Sequence, residues 1–138
     1  MKVFVDSSAW LALHIANDQY FKEAEKYAHS LIDKRALFFT NDYVLDETYT
    51  RLIYDFNLQT AQEFHKKIIL GVKENLVVLE IDEYERELAW FYLEKFKDHN
   101  LSLTDATIVV NFNEANLNEI FTFDRHFRDI NLSTNLTR

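Results

Sequence analysis

The sequence has no cysteine, no proline and a single glycine, Gly71, in 138 residues. Without cysteine there is no disulfide scaffold, no thiolate-bound zinc or iron–sulfur site and no thiol nucleophile. One glycine excludes the glycine-rich phosphate loops and the G-x-S-x-G nucleophile turn. With so little glycine and no proline, no stretch is marked by composition as a linker. Long apolar runs are missing as well, and none approaches the roughly 18 residues of a transmembrane helix. The start, MKVFVDSSAW, carries an acid at its sixth residue, so it does not read as a signal peptide and a cytoplasmic address is expected. Basic excess is also lacking. Twenty-three acids against 15 Lys plus Arg give a net charge of −8, the reverse of the usual nucleic-acid-binding footprint. Such acidity serves solubility, and an acidic protein can still bind a polyanion where its carboxylates hold divalent cations that invert the local sign.

What is present is core material. The chain is 48% hydrophobic and 15% aromatic, with 12 Phe, 7 Tyr and 2 Trp, and only 28% charged. A single domain over residues 1–138 is expected, burying roughly 68% of the surface of the unfolded chain. KVFVD (2–6) reads as a buried strand ending in an acid, followed by a nearly apolar helix over 9–16. Tyr20, Ala24, Tyr27, Ala28 and Leu31 form the stripe of an amphipathic helix. ALFFT (36–40) is the second strand, and Asn41 can cap a helix over 42–56. A helix over 59–74 and the strand LVVLEI (76–81) follow. Asp82 with Glu85 has capping-box spacing and opens a helix with Tyr84, Leu88, Phe91, Tyr92 and Phe96 along one face. Ser102 with Asp105 repeats the spacing before a helix to Glu114, EIFTF (119–123) is the fourth strand, and 130–137 can add a weak edge strand. Strands separated by helices imply parallel strands with right-handed crossovers, an α/β sandwich.

Four acids stand out from the solvated majority. Asp6 and Asp124 end apolar strands, and ligands of open α/β sheets bind beyond the carboxyl ends of strands. Asp105 is equally a capping-box acid serving Ser102, and Glu47 equally an i, i+4 partner of Arg51. Ser7, Ser8, Thr104 and Thr122 are placed to donate to these carboxylates and orient them. If the four acids converge, each pair at ~5 Å and an effective dielectric of ~20 repels by roughly 3 kcal/mol, so the cluster takes up protons or a hard cation. Oxygen ligands suit Mg²⁺ or Mn²⁺, and such ions support phosphodiester hydrolysis.

VFVDSSAW, YVLDETYTRL, LSLTDATIVV and FTFDRHF together resemble a PIN domain, and among PIN proteins the VapC-like toxin ribonucleases of toxin–antitoxin pairs. The resemblance runs from Val3 to Phe127 and matches the family's four acids to Asp6, Glu47, Asp105 and Asp124, with Asp46 beside Glu47 as a neighbouring candidate. It implies a three-layer α/β/α sandwich around a mostly parallel sheet of about four or five strands, Mg²⁺ or Mn²⁺ at the acids, and endonucleolytic cleavage of RNA. It also implies a small antitoxin partner, and with the many aromatics it suggests a homodimer. His126 departs from the pattern, standing where many relatives carry a further acid, and reads either as a loop histidine or as a contact to phosphate or metal.

Other classes fit less well. A haloacid-dehalogenase-type phosphatase needs an acid two residues after the first, where Ser8 stands, and a receiver domain needs a neighbouring acid pair and a late lysine. A metal-free ribonuclease needs a histidine pair, and His14, His29, His65, His99 and His126 show no such spacing. The rival from another class is a PIN fold without catalysis, acting as a binding or regulatory module. Among cations, Arg51, Arg125, Arg128, Lys66 and Lys67 are candidate RNA contacts or surface ion pairs, and Tyr43, Tyr54 and Phe127 are candidate stacking rings.

Overall fold

The computed structural model describes residues 1–136. Four short strands alternate with helices in chain order. These are β1 (Lys2–Val5), α1 (Ser7–His14), α2 (Phe21–Asp33), β2 (Leu37–Asn41), α3 (Asp42–Asp55), α4 (Leu58–Val72), β3 (Leu76–Leu79), α5 (Glu83–Lys95), α6 (Leu103–Glu114), β4 (Glu119–Phe121) and α7 (His126–Asp129). All strand pairs are parallel, in the order β3-β2-β1-β4, with Phe4 opposite Phe39 on one side and Ile120 on the other. The chain therefore winds outward from β1 through β2 and β3, then returns to place β4 on the far side of β1. The reversal puts the switch point, where such sheets bind ligands, between the ends of β1 and β4.

Side-chain alternation along the strands feeds two helical layers. Val3 and Val5 pack with Phe121 beneath α1 and α2, where Ala9, Ala12, Ala24 and Leu31 are buried. Phe4, Phe39 and Ile120 face the other way, onto Ile108 of α6 and Phe127 of α7. Burial on both faces explains why the strands read as apolar runs. A third cluster, with Leu45, Leu52, Phe64, Ile68 and Leu76, ties α3 and α4 to β3. Gly71 lies where α4 meets that strand, since a Cβ there would come 3.3 Å from the Leu76 side chain.

With glycine nearly absent, other residues terminate helices. Arg35, Asn116 and Asn131 take left-handed backbone with φ of 56°, 53° and 66°. After each, the next N–H returns to the carbonyl five residues back, Ala36 to Leu31, Leu117 to Phe112 and Leu132 to Phe127, all at 3.0 Å. These are Schellman closures without glycine.

Two expectations need correction. The residues read along one face of α5 divide between packing and solvent. Tyr84 and Phe91 are exposed, and α5 packs Ala89, with Leu88, Tyr92 and Leu93, onto Ala106 and Val110 of α6. The tail does not form a fifth strand within the described residues. It makes one isolated bridge, Thr134 to Ile120, and residue 137 lies outside them.

Candidate metal centre

Asp6 leaves β1 with its own N–H donating to Phe121 O at 3.0 Å, and becomes the N-cap of α1. Helix α1 thus begins at Ser7, two residues earlier than apolarity alone suggests. Asp6 Oδ1 accepts from Ser7 N–H at 2.7 Å, and Oδ2 accepts from the Thr122 hydroxyl at 2.8 Å. The same Thr122 oxygen accepts the Asp124 N–H at 2.9 Å, so one buried hydroxyl holds both strand-end acids in register. Ser8 Oγ accepts the Phe123 N–H at 2.9 Å and lies 3.2 Å from Thr122 Oγ1, completing the tie between α1 and the loop after β4.

Glu47 comes from α3. Ser7 Oγ donates to its Oε1 at 2.5 Å while standing 3.5 Å from Asp6 Oδ1, so Ser7 bridges the first two acids. Asp46 points to solvent and Glu47 is half-buried toward Ser7, which separates these neighbours. The position of α3 is set by Asn41, fully buried at its N-cap. Asn41 Oδ1 accepts Val44 N–H at 2.8 Å, and Nδ2 donates to Thr107 Oγ1 at 3.1 Å and Asn111 Oδ1 at 2.8 Å on α6. A single amide therefore fixes the helix carrying Glu47 against the helix carrying Asp105.

Asp105 forms the capping box with Ser102. Its Oδ2 accepts Ser102 N–H at 3.0 Å and Ser102 Oγ accepts Asp105 N–H at 3.0 Å. The capping role is thus real, and it coexists with proximity to the other acids. One oxygen each of Asp105 and Asp124 and one His126 nitrogen lie within 4.8 Å of one another. His126 Nδ1 is 3.2 Å from Asp124 Oδ1 and 3.7 Å from Asp105 Oδ2, yet it is buried without a hydrogen bond. Asp6 and Glu47 lie outside that tight group but adjoin it electrostatically. Burial, followed by the charges of Asp105 and Glu47, pushes the Asp6 carboxyl up to about 7 against the pull of Thr122 and Ser7. Burial also raises Asp105, with the Asp124 charge adding to it and the Ser102 N–H opposing.

Of the hydroxyls read as orienting groups, Ser7, Ser8 and Thr122 occupy that role. Thr104 does not: among the described residues no hydrogen bond joins its hydroxyl to a carboxylate, and its carbonyl accepts from Thr107 Oγ1 at 2.6 Å. Phe127 is fully buried and unavailable for stacking. A different ring pair borders the acids. Tyr20 and Phe123 stack with centroids 4.4 Å apart and planes at 6°, beside a groove of about 470 Å³ that Ser8, Arg51, Asp124 and Arg125 also line. Sequence reasoning assigned Tyr20 to a core stripe and had no signal for this placement.

The donor set fits a hard divalent cation. Carboxylate oxygens converge, one raised carboxyl gains by ionising next to a cation, and an orphaned buried nitrogen faces two carboxylate oxygens. An arrangement of acids at the β1/β4 switch point, on this topology, defines a class. The chain belongs to the PIN domain family, whose model matches residues 3–132. Among solved structures it is similar to VapC20 of Mycobacterium tuberculosis, described as a sarcin-ricin loop cleaving toxin, with 23% identity, a TM-score of 0.81 and coverage of 94% of this chain and 95% of that one. VapBC2 from Rickettsia felis, bound to a DNA fragment from its promoter, matches at 14% identity and TM-score 0.67, covering 97% of both chains. FitAcB from Neisseria gonorrhoeae matches at 12% identity and TM-score 0.67, covering 96% of this chain and 95% of that one. At these identities the likeness is one of fold. No curated protein matches the sequence.

Proposed function

We propose that this chain, acting as one domain, is a Mg²⁺- or Mn²⁺-dependent endoribonuclease, the toxin of a toxin–antitoxin pair. The observation that carries the reading is the meeting of Asp105, Asp124 and His126 within 4.8 Å beside the buried Asp6. Asp105 and Asp124, distant in sequence, raise each other's electrostatic cost where they meet, a cost that a bound divalent cation would offset. When bound, a divalent ion supplies neutralisation of phosphodiester charge and acidification of water. Asp6, Asp105 and Asp124 are the residues that would hold it, with His126 as a nitrogen donor. Glu47, fastened by Ser7, stands at the rim as a group able to ligate through water or to accept a proton. Thr122 and Ser7 fix the rotamers of Asp6, and Ser102 fixes Asp105, so the carboxylates need little rearrangement on loading.

Partners are supported by exposed apolar side chains. Tyr54, Phe56 and Leu58 lie exposed about the α3–α4 turn, and Tyr84, Trp90 and Phe91 lie exposed on α5. These surfaces suit a second copy of the chain and a small antitoxin, as the relatives with paired names suggest.

The test is incubation of the purified chain with structured RNA and Mn²⁺, followed by end analysis. Cleavage that leaves 5′-phosphates, stops with EDTA and disappears in Asp6→Asn is the expected result. Cleavage by Asp6→Asn at the wild-type rate, or 2′,3′-cyclic phosphate ends, would overturn it.

A further inference from the structure

We infer that the groove beside Asp124 is the track for single-stranded RNA, with Tyr20 as a base platform and Arg51 and Arg125 as phosphate contacts. The inference rests on the ribonuclease reading above and assigns residues that reading does not use. Its first observation is charge. Most Lys and Arg side chains among the described residues stand outside ion pairs, so what marks Arg51 and Arg125 is their shared place in one groove beside the acids. Arg51 is one helical turn beyond Glu47 and spaced to pair with it, but Glu47 Oε1 is taken by the Ser7 hydroxyl. Among the described residues, neither Arg51 nor Arg125 makes an ion pair. Two uncompensated guanidiniums thus line one groove, next to the acid that closes the metal centre. A guanidinium fork matches phosphate geometry, so the groove offers two anchors for a backbone.

The second observation is the ring pair. Phe123 is held in place by its N–H bond to Ser8 and is covalently next to Asp124. Tyr20 stacks on it, is 37% exposed, and has no other ring partner among the described residues. The loop bearing Tyr20 is pinned, with Asp18 Oδ1 accepting Tyr20 N–H at 2.8 Å and Asp18 N–H donating to Ile15 O at 3.0 Å. That bond also occupies the one acid, besides Asp124, that lines the groove. A rigid aromatic face presented to solvent accepts an unstacked base of any sequence, whereas a duplex hides its base faces. A groove of about 470 Å³ has room for a nucleotide.

The experiment uses the full chain in EDTA, a fluorescein-labelled mixed-sequence single-stranded RNA 12-mer, and the same RNA as a duplex. Fluorescence anisotropy against salt gives affinity and slope, and cleavage in Mn²⁺ is read in parallel. Tyr20→Ala is expected to weaken single-strand binding by roughly 5- to 150-fold, and Tyr20→Phe to restore it. Each of Arg51→Ala and Arg125→Ala is expected to reduce the salt slope by about 0.7, with duplex bound more weakly than single strand. Folded variants that bind with wild-type affinity and slope would overturn the groove while leaving the nuclease reading intact. A wild type that binds no single-stranded RNA would overturn it too. Binding that the variants lose, in a chain that never cleaves RNA with Mn²⁺, would uphold the groove and sink the nuclease reading.

Discussion

Asp6 is almost wholly buried with its carboxyl pushed up to about 7, and the sign of that shift sets how the protein responds to pH. The group binds its proton more tightly folded than unfolded, where the ordinary value is 3.8. Its stabilising contribution is complete below that value and is lost as pH rises through about 7. In EDTA, Asp6→Asn is therefore expected to melt close to wild type near pH 4 and progressively above it toward pH 8, a difference that scanning calorimetry reads directly. The amide can still accept the Ser7 N–H and donate to Thr122 Oγ1, so the fold is retained. A flat difference across that range would contradict the burial argument. The histidine carries a second prediction. Imidazole suits Mn²⁺ better than Mg²⁺, so His126→Asp is expected to raise the melting shift produced by Mg²⁺ relative to that produced by Mn²⁺. At this scale Asp6, Asp105 and Asp124 stood out in the sequence because two end strands and one closes a capping box, whereas Glu47 was singled out mainly by the family resemblance. His126 stood there as a loop histidine or a metal or phosphate contact, and nothing in its neighbours decides between them, because only the fold turns its ring toward Asp105 and Asp124. Thr104 misled, since adjacency to an acid in sequence does not aim a hydroxyl at it.

Among the elements, α3 and α6 matter most to the site, and their junction is a wholly buried polar set of Asn41, Thr107 and Asn111. Asn41→Ala removes the α3 cap and leaves two buried acceptors unserved. A loss of roughly 2–4 kcal/mol in urea unfolding is expected from the cap and the orphaned groups together. Nuclease activity is expected to fall further than the unfolded fraction explains, because Glu47 and Asp105 lose their common reference. Ser7→Ala is the gentler case, where the helix survives and activity drops by roughly 10- to 100-fold. Helix starts were the most readable feature of the sequence, since Asn41, Asp82 and Ser102 all cap as their spacing dictates. The α5 stripe divides for a physical reason. Helix α5 packs extensively on α6 through Ala89 with Leu88, Tyr92 and Leu93, onto Ala106 and Val110, and that choice of face leaves Tyr84, Trp90 and Phe91 outward.

For the whole molecule, the apolar residues left outside point to association. Tyr54 is 82% exposed and Trp90 57%. Light scattering at tens of micromolar is expected to give a dimer mass, and Trp90→Glu with Phe91→Glu to shift it toward monomer. An unchanged dimer would move the interface off α5. The α/β architecture was legible from alternating strands and helices, but strand order was not. That β4 returns beside β1, and so brings Asp124 to Asp6, depends on long-range pairing that no local pattern encodes.

The left-handed closures at Arg35, Asn116 and Asn131 bear on heat as well as shape. Each sustains a conformation that costs a side-chain-bearing residue roughly 1–2 kcal/mol, which glycine would avoid. A polypeptide with one glycine, however, wanders through a narrower set of disordered shapes, so it surrenders less configurational freedom when it folds. A smaller entropy of melting makes the transition temperature more sensitive to each kilocalorie gained or lost. Core substitutions here should therefore move the midpoint by more degrees than the same free-energy change moves it in a glycine-rich domain of equal size.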